Sequence, residues 1–99
     1  MREFLVGFNK AFESKARLGI MSVLMINDTL SFNGLKELLD MTDGNLATHL
    51  RALEEQGYVS VRKQFVGRKP NTTYTATEVG RQAFSDHLNA LEDFIRQSA

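Results

Sequence analysis

The sequence predicts a mainly helical α+β domain: short helices around one tight turn, a single small β-hairpin, and helices at both ends. Three observations predict it. Apolar residues recur at helical spacing from Phe4 to Phe12, from Leu18 to Met25, from Leu35 to Leu53 and from Phe84 to Ile95. The period drops to two once, where Val59, Val61 and Phe65 alternate with Ser60, Arg62 and Gln64. The single proline lies in Gly67-Arg68-Lys69-Pro70-Asn71, a run of turn-forming residues directly after that alternation. The 99 residues suit a single domain spanning 1–99.

The elements follow in order. Phe4, Leu5, Phe8 and Phe12 predict a helix over residues 1–13. Ser14 is placed to cap a second helix from Lys15 to about Ile26, which Asn27-Asp28 ends. Thr29-Leu30-Ser31 is short enough for one extended edge segment. Ser31 caps a third helix, about Phe32–Leu39, with Leu35, Leu38 and Leu39 apolar, and Asp40-Met41 makes a tight connection. Thr42 caps a fourth helix over 42–56, with Asp43 in its first turn, where a carboxylate suits the helix dipole, and Gly57 as its stop. The alternating strand, the Gly67–Asn71 turn and the β-branched run Thr72-Thr73-Tyr74-Thr75 make a hairpin over 58–76. Thr77 caps a last helix over 77–97, whose Phe84, Leu88, Leu91 and Ile95 form one stripe.

Net charge is zero, with 12 basic and 12 acidic residues, so any attraction to a polyanion must come from distribution. The distribution is uneven. Residues 60–77 hold Arg62, Lys63, Arg68 and Lys69 and no acid, whereas in the fourth helix Arg51 stands against Asp43, Glu54 and Glu55. Cysteine is absent, which removes disulfides, thiolate metal sites and a cysteine nucleophile. No phosphate-cradling glycine loop, HExxH or GxSxG pattern is present, and no nucleophile–base pair can be nominated, so no catalytic, cofactor or metal residues are expected. His87 beside Asp86 is a weak metal candidate, since two histidines fall short of the three or four ligands a site needs. No apolar run approaches the ~20 residues that cross a bilayer, and the start does not read as a signal peptide, so the cytosol is the expected setting.

Helices joined by a tight turn form a helix-turn-helix, whose second helix can enter a major groove, and a hairpin after it forms a wing. At about 100° per residue, Leu46, Leu50 and Leu53 share the buried stripe of the fourth helix. Gly44 and Thr48 face the other way, with Asn45 and Ala47 on the flanks. Asparagine can pair with adenine, threonine offers a hydroxyl and a methyl, and glycine permits close backbone approach. His49, at the edge of the stripe, either hydrogen-bonds locally or meets a phosphate.

The chain resembles the winged helix-turn-helix regulators of the broad MarR/ArsR kind, over about residues 12–95. The resemblance is carried by Ala16-Arg17-Leu18-Gly19-Ile20-Met21, by Ser31–Leu39, by Thr42-Asp43-Gly44-Asn45-Leu46-Ala47-Thr48-His49-Leu50 followed by Gly57-Tyr58-Val59, and by Thr77-Glu78-Val79-Gly80-Arg81. It implies a winged helix, sequence-specific binding of double-stranded DNA, transcription regulation and a homodimer. The recognition role would fall to Asp43, Gly44, Asn45, Ala47, Thr48 and Arg51, with Thr42 and His49 counted beside them, and the wing role to Lys63, Arg68 and Lys69. The departure from the family is the acidic balance of the fourth helix, so one protomer alone is expected to bind weakly. Phe4, Phe8, Phe12, Phe84, Leu88, Leu91 and Ile95 exceed what a small core needs and predict a dimer interface, with room between the terminal helices for a small-molecule effector that no residue identifies. The alternative use of the same fold is binding protein only. A steep fall of affinity with salt separates DNA binding from it.

Overall fold

A computed structural model of the chain describes residues 7–98. Its elements are α1 (Lys15–Ile26), β1 (Leu30–Ser31), α2 (Phe32–Leu39), α3 (Asp43–Glu55), β2 (Val59–Val66), β3 (Lys69–Ala76) and α4 (Glu78–Ser98). Helix starts follow the capping residues. Ser14, Ser31 and Thr42 each accept a hydrogen bond from the backbone N–H three residues on, at Arg17, Gly34 and Asn45. Asp40 ends α2 in the left-handed region at φ 51°, which makes the turn to α3 tight.

The three strands form one antiparallel sheet in the order β1-β3-β2. β1 pairs Leu30 with Tyr74 and Ser31 with Thr73, so the extended edge segment is present. β2 and β3 pair from Val59↔Ala76 out to Val66↔Lys69. The connection is therefore only Gly67-Arg68, shorter than the expected Gly67–Asn71 turn. Gly67 adopts φ 67°, the positive φ that a two-residue hairpin loop with glycine first requires. Pro70 lies in β3 opposite Phe65, beyond the reach of β1, where β3 has one neighbour and a missing N–H is tolerated.

Ile20, Met21 and Leu24 of α1, Leu35 of α2 and Leu46, Leu50 and Leu53 of α3 pack with Val59, Tyr74 and Ala76 of the sheet. Burying each large aliphatic contributes about 1.5–3 kcal/mol. The start of α4 is locked on by a small polar knot. Thr77 Oγ1 donates to Gly57 O (2.6 Å) and accepts from Gly80 N (2.9 Å), while Thr77 N donates to Tyr58 O (2.9 Å). Arg81 reaches back from α4 to donate to the carbonyls of Leu24 and Met25, both at 3.3 Å, satisfying groups the end of α1 leaves open.

Two expectations need correcting at the ends of the chain. In place of a helix up to residue 13, the described residues hold a turn and a 3-10 helix at Lys10–Phe12, capped by Asn9. Phe12 belongs to the core: its ring stacks on Tyr58 and meets Phe84 edge-on at 5.2 Å. Phe12 and Phe84 are 2% and 3% exposed, so neither is available to a partner. The inward face of α4 is Gly80, Phe84, His87 and Ala90. The expected stripe drifts off the core after Phe84, leaving Leu88, Leu91 and Ile95 exposed. Phe8 is half-buried, edge-on to His87 and Phe94, and Phe4 lies outside the described residues. The radius of gyration, 15.0 Å, exceeds the roughly 13 Å of a compact chain this long.

Candidate nucleic-acid interface

α3 rests its Leu46–Leu50–Leu53 stripe on the core and turns Gly44, Asn45, Thr48 and Arg51 to solvent. A Cβ at Gly44 would meet nothing within 4 Å, so the first turn is bare on that side. Thr48 donates its hydroxyl to Gly44 O (2.8 Å), which orients the side chain and leaves the oxygen free to accept. Thr42 is exposed and caps the helix through its side-chain oxygen. Asp43 is bound 2.9 Å from Lys36 Nζ, an exposed pair that ties α2 to the first turn of α3. Sequence reasoning missed Lys36 because it lies outside the recognition segment; its signal is only the opposite charge across the turn.

His49 makes a local hydrogen bond, one of the two roles its position allowed. It is half-buried, and Arg17 Nη1 donates to its Nδ1 at 3.2 Å. Arg17 Nε also donates to Ala11 O at 2.6 Å, so this one side chain joins the 3-10 helix, α1 and α3. His87 likewise is structural: buried to 7% exposure, it accepts at Nδ1 from Asn9 N (3.0 Å) and holds the N-terminal segment against α4.

The wing lies beside α3. A groove of about 440 Å³ is lined by Ala47, Arg51, Glu54 and Glu55 of α3 and by Val61, Lys63 and Tyr74 of the hairpin. Along the same face of the hairpin, toward α2, a groove of about 430 Å³ joins Phe32 and Asn33 of α2 to Lys63, Pro70 and Thr72. Lys63 borders both, and Asn33 is a further polar group there that the sequence reading passed over. The ion pairs among the described residues are Lys36–Asp43 and Arg96–Glu92, so Arg51, Arg62, Lys63, Arg68 and Lys69 are left without acidic partners. Burial, and secondarily the charge of Glu54, raises the Tyr74 phenol above its usual range, which keeps it neutral on the groove wall. Phe65, whose alternation with polar neighbours predicts a strand, lies in β2 and is 73% exposed near the tip.

The terminal helix pair expected to shelter an effector is not formed by the described residues, whose N-terminal part is the short 3-10 helix. An apolar groove of about 530 Å³ lies elsewhere, between Leu18 and Gly19 of α1 and Leu39, Met41 and Asn45. No helix of the described residues is long and apolar enough to cross a membrane. No group of three or more histidine and acidic residues among them is placed to hold a metal ion.

Comparison with known proteins agrees with this geometry. Residues 16–95 match the family model of the winged helix DNA-binding domain. An uncharacterised protein of Methanocaldococcus jannaschii is 39% identical over 79 residues, covering 80% of this chain and 86% of the relative. The structure of a transcriptional regulator homologue from Pyrococcus horikoshii superposes with a TM-score of 0.85 at 29% identity, over 97% of this chain and 93% of that one. Bacillus subtilis PadR, solved in complex with operator DNA, shares the fold with a TM-score of 0.65 at 20% identity, over 73% of this chain and 46% of PadR.

Proposed function

Because this chain belongs to the family of winged helix DNA-binding domains, we propose that it is a cytoplasmic transcription regulator that binds specific double-stranded DNA sequences as a homodimer. α3 would enter the major groove through Gly44, Asn45, Thr48 and Arg51, and the wing would meet the backbone or minor groove through Lys63, Arg68 and Lys69. The observation that carries this reading is the adjacency of the exposed α3 face to a hairpin whose cations have no acidic partner among the described residues. Cations beside a bare helix face, in a hairpin that holds no acid, suit phosphates flanking a groove.

Two protomers are required by magnitude. α3 carries three acids against Arg51, so one protomer's affinity rests on four wing cations. Two copies place two recognition helices in successive major grooves about 34 Å apart. Leu88, Leu91 and Ile95 supply an apolar strip on α4 that a two-fold contact would use twice.

Selection of bound sites from a random duplex pool, followed by two kinds of variant, tests the assignment. Arg68→Ala with Lys69→Ala is expected to weaken binding to all sequences alike and to flatten the salt dependence. Asn45→Ala or Thr48→Ala is expected to relax base preference, each losing about 1–3 kcal/mol of discrimination. A wing variant that changed the preferred sequence, beside helix variants that did not, would reverse the roles. Failure to enrich any sequence would remove specific recognition altogether.

A further inference from the structure

β2 carries its side chains on alternate faces, so Val59, Val61, Lys63 and Phe65 share one. Across the hairpin the same face continues as Ala76, Tyr74, Thr72 and Pro70, each directly opposite its partner. The inner half of this face covers the core, with Val59 3% and Tyr74 8% exposed. The outer half runs past the core into solvent, where Phe65 stands opposite Pro70. An aromatic ring is thus held in water by a two-stranded hairpin, on the face where Lys63 lines a groove with Ala47 and Arg51 of α3.

Its surroundings select the occupant. Lys63 shares the face of the ring, Arg68 lies in the connecting turn, Arg62 and Lys69 stand on the opposite face of the same hairpin, and no acid occurs from Ser60 to Thr77. An apolar ring at the end of a hairpin that carries four cations and no acid fits a surface that is apolar at its centre and anionic at its rim. A DNA minor groove is such a surface: sugars and base steps lie between two lines of phosphate.

We propose that Phe65, backed by Pro70, is an apolar wedge that enters the minor groove beside the α3 site and stacks against a partly opened base step, while Arg68 and Lys69 hold the flanking phosphates. The proposal rests on the duplex-binding reading above and adds a contact that is neither a phosphate contact nor a hydrogen bond to a base edge. It carries a sequence consequence. The step under the wing is expected to be TA or CA/TG, which unstack most easily, although no polar group reads it.

The chain contains no tryptophan, so Phe65→Trp introduces a single fluorophore at the wedge, and Val79→Trp, at an exposed site on the first turn of α4, is its control. Both are titrated with an end-labelled duplex from the selected pool, whose anisotropy reports binding independently. Bound duplex is expected to quench the tryptophan at position 65 severalfold and to shield it from acrylamide, leaving the control unchanged. Phe65→Ala is expected to bind about tenfold more weakly, as stacked aromatics do on truncation, with an unaltered salt slope because no phosphate contact is lost. The wedge is overturned if the position-65 fluorophore stays bright and accessible on a duplex that anisotropy shows to be bound, or if Phe65→Ala binds as wild type does. Shielding that appears with protein concentration alone would assign the ring to a second copy of the chain and equally overturn it. Absence of duplex binding by the wild-type protein would instead bring down the functional reading, and the wedge with it.

Discussion

Replacing Gly80 with alanine is expected to destabilise the domain by about 3 kcal/mol, at the upper end for an overpacked site. A Cβ at this position would lie 2.1 Å from Tyr58 O and 2.8 Å from the carbonyl carbon and Cα of the same residue. Those are backbone atoms, and the obstructing oxygen already accepts from Thr77 N. Relief therefore means moving the start of α4 away from the base of the hairpin, which loosens the Thr77 knot and the Arg81 bonds to the end of α1 together. For a domain of this size, about 3 kcal/mol lowers the melting temperature by roughly 12–24 °C. Gly44→Ala is the matched comparison: nothing lies within 4 Å, and a helical alanine is favoured over glycine by about 1 kcal/mol. Thermal melts of the two variants should move in opposite directions. A Gly80→Ala protein that melted with the wild type would show that close approach of α4 to Tyr58 is not what docks the helix.

Leu91→Asp is expected to give a folded monomer that no longer binds a palindrome. Leu91 is the middle residue of the exposed strip and is 41% exposed in the single protomer, so the substitution costs the isolated fold little. In a two-fold interface the same change would bury two carboxylates against apolar partners, at several kcal/mol each unless the helices separate. Sedimentation should show the mass halved with the helical circular dichroism signal unchanged, and a gel shift on the same sample should lose the full-site complex. A wild-type protein that sediments as a monomer and binds one half-site as tightly as two would end the dimer proposal.

How far the fold could be read in advance depended on whether local chemistry decided the outcome. Ser14, Ser31 and Thr42 placed three helix starts because a capping oxygen satisfies backbone donors wherever the helix begins. The Leu46–Leu50–Leu53 stripe was legible, and with it the bare face of α3, because a thirteen-residue helix on a core has only one way to turn. Positions decided by distant contacts were not. Phe12 and Phe84 looked like surplus apolar residues; Phe12 stacks on Tyr58 and meets Phe84, more than seventy residues away in sequence, only in the folded chain. Phe65 alternated correctly for a core strand, but periodicity does not reveal where the core ends along a hairpin. The partners of Asp43 and His49, Lys36 and Arg17, lie on other helices, so no motif in α3 announced them. The exposed face of α3 was thus legible, whereas its scaffolding and the hairpin tip were products of tertiary packing.

The measurement that tests duplex binding most directly is a salt titration of the wild-type protein on a selected palindrome. If each protomer neutralises about three or four phosphates, log K against log salt is expected to fall with a slope of roughly −5 to −7 for the dimer. A flat response on every duplex tried, or binding whose strength did not fall between low and physiological salt, would contradict the account and leave the wing's cations without the partner assigned to them.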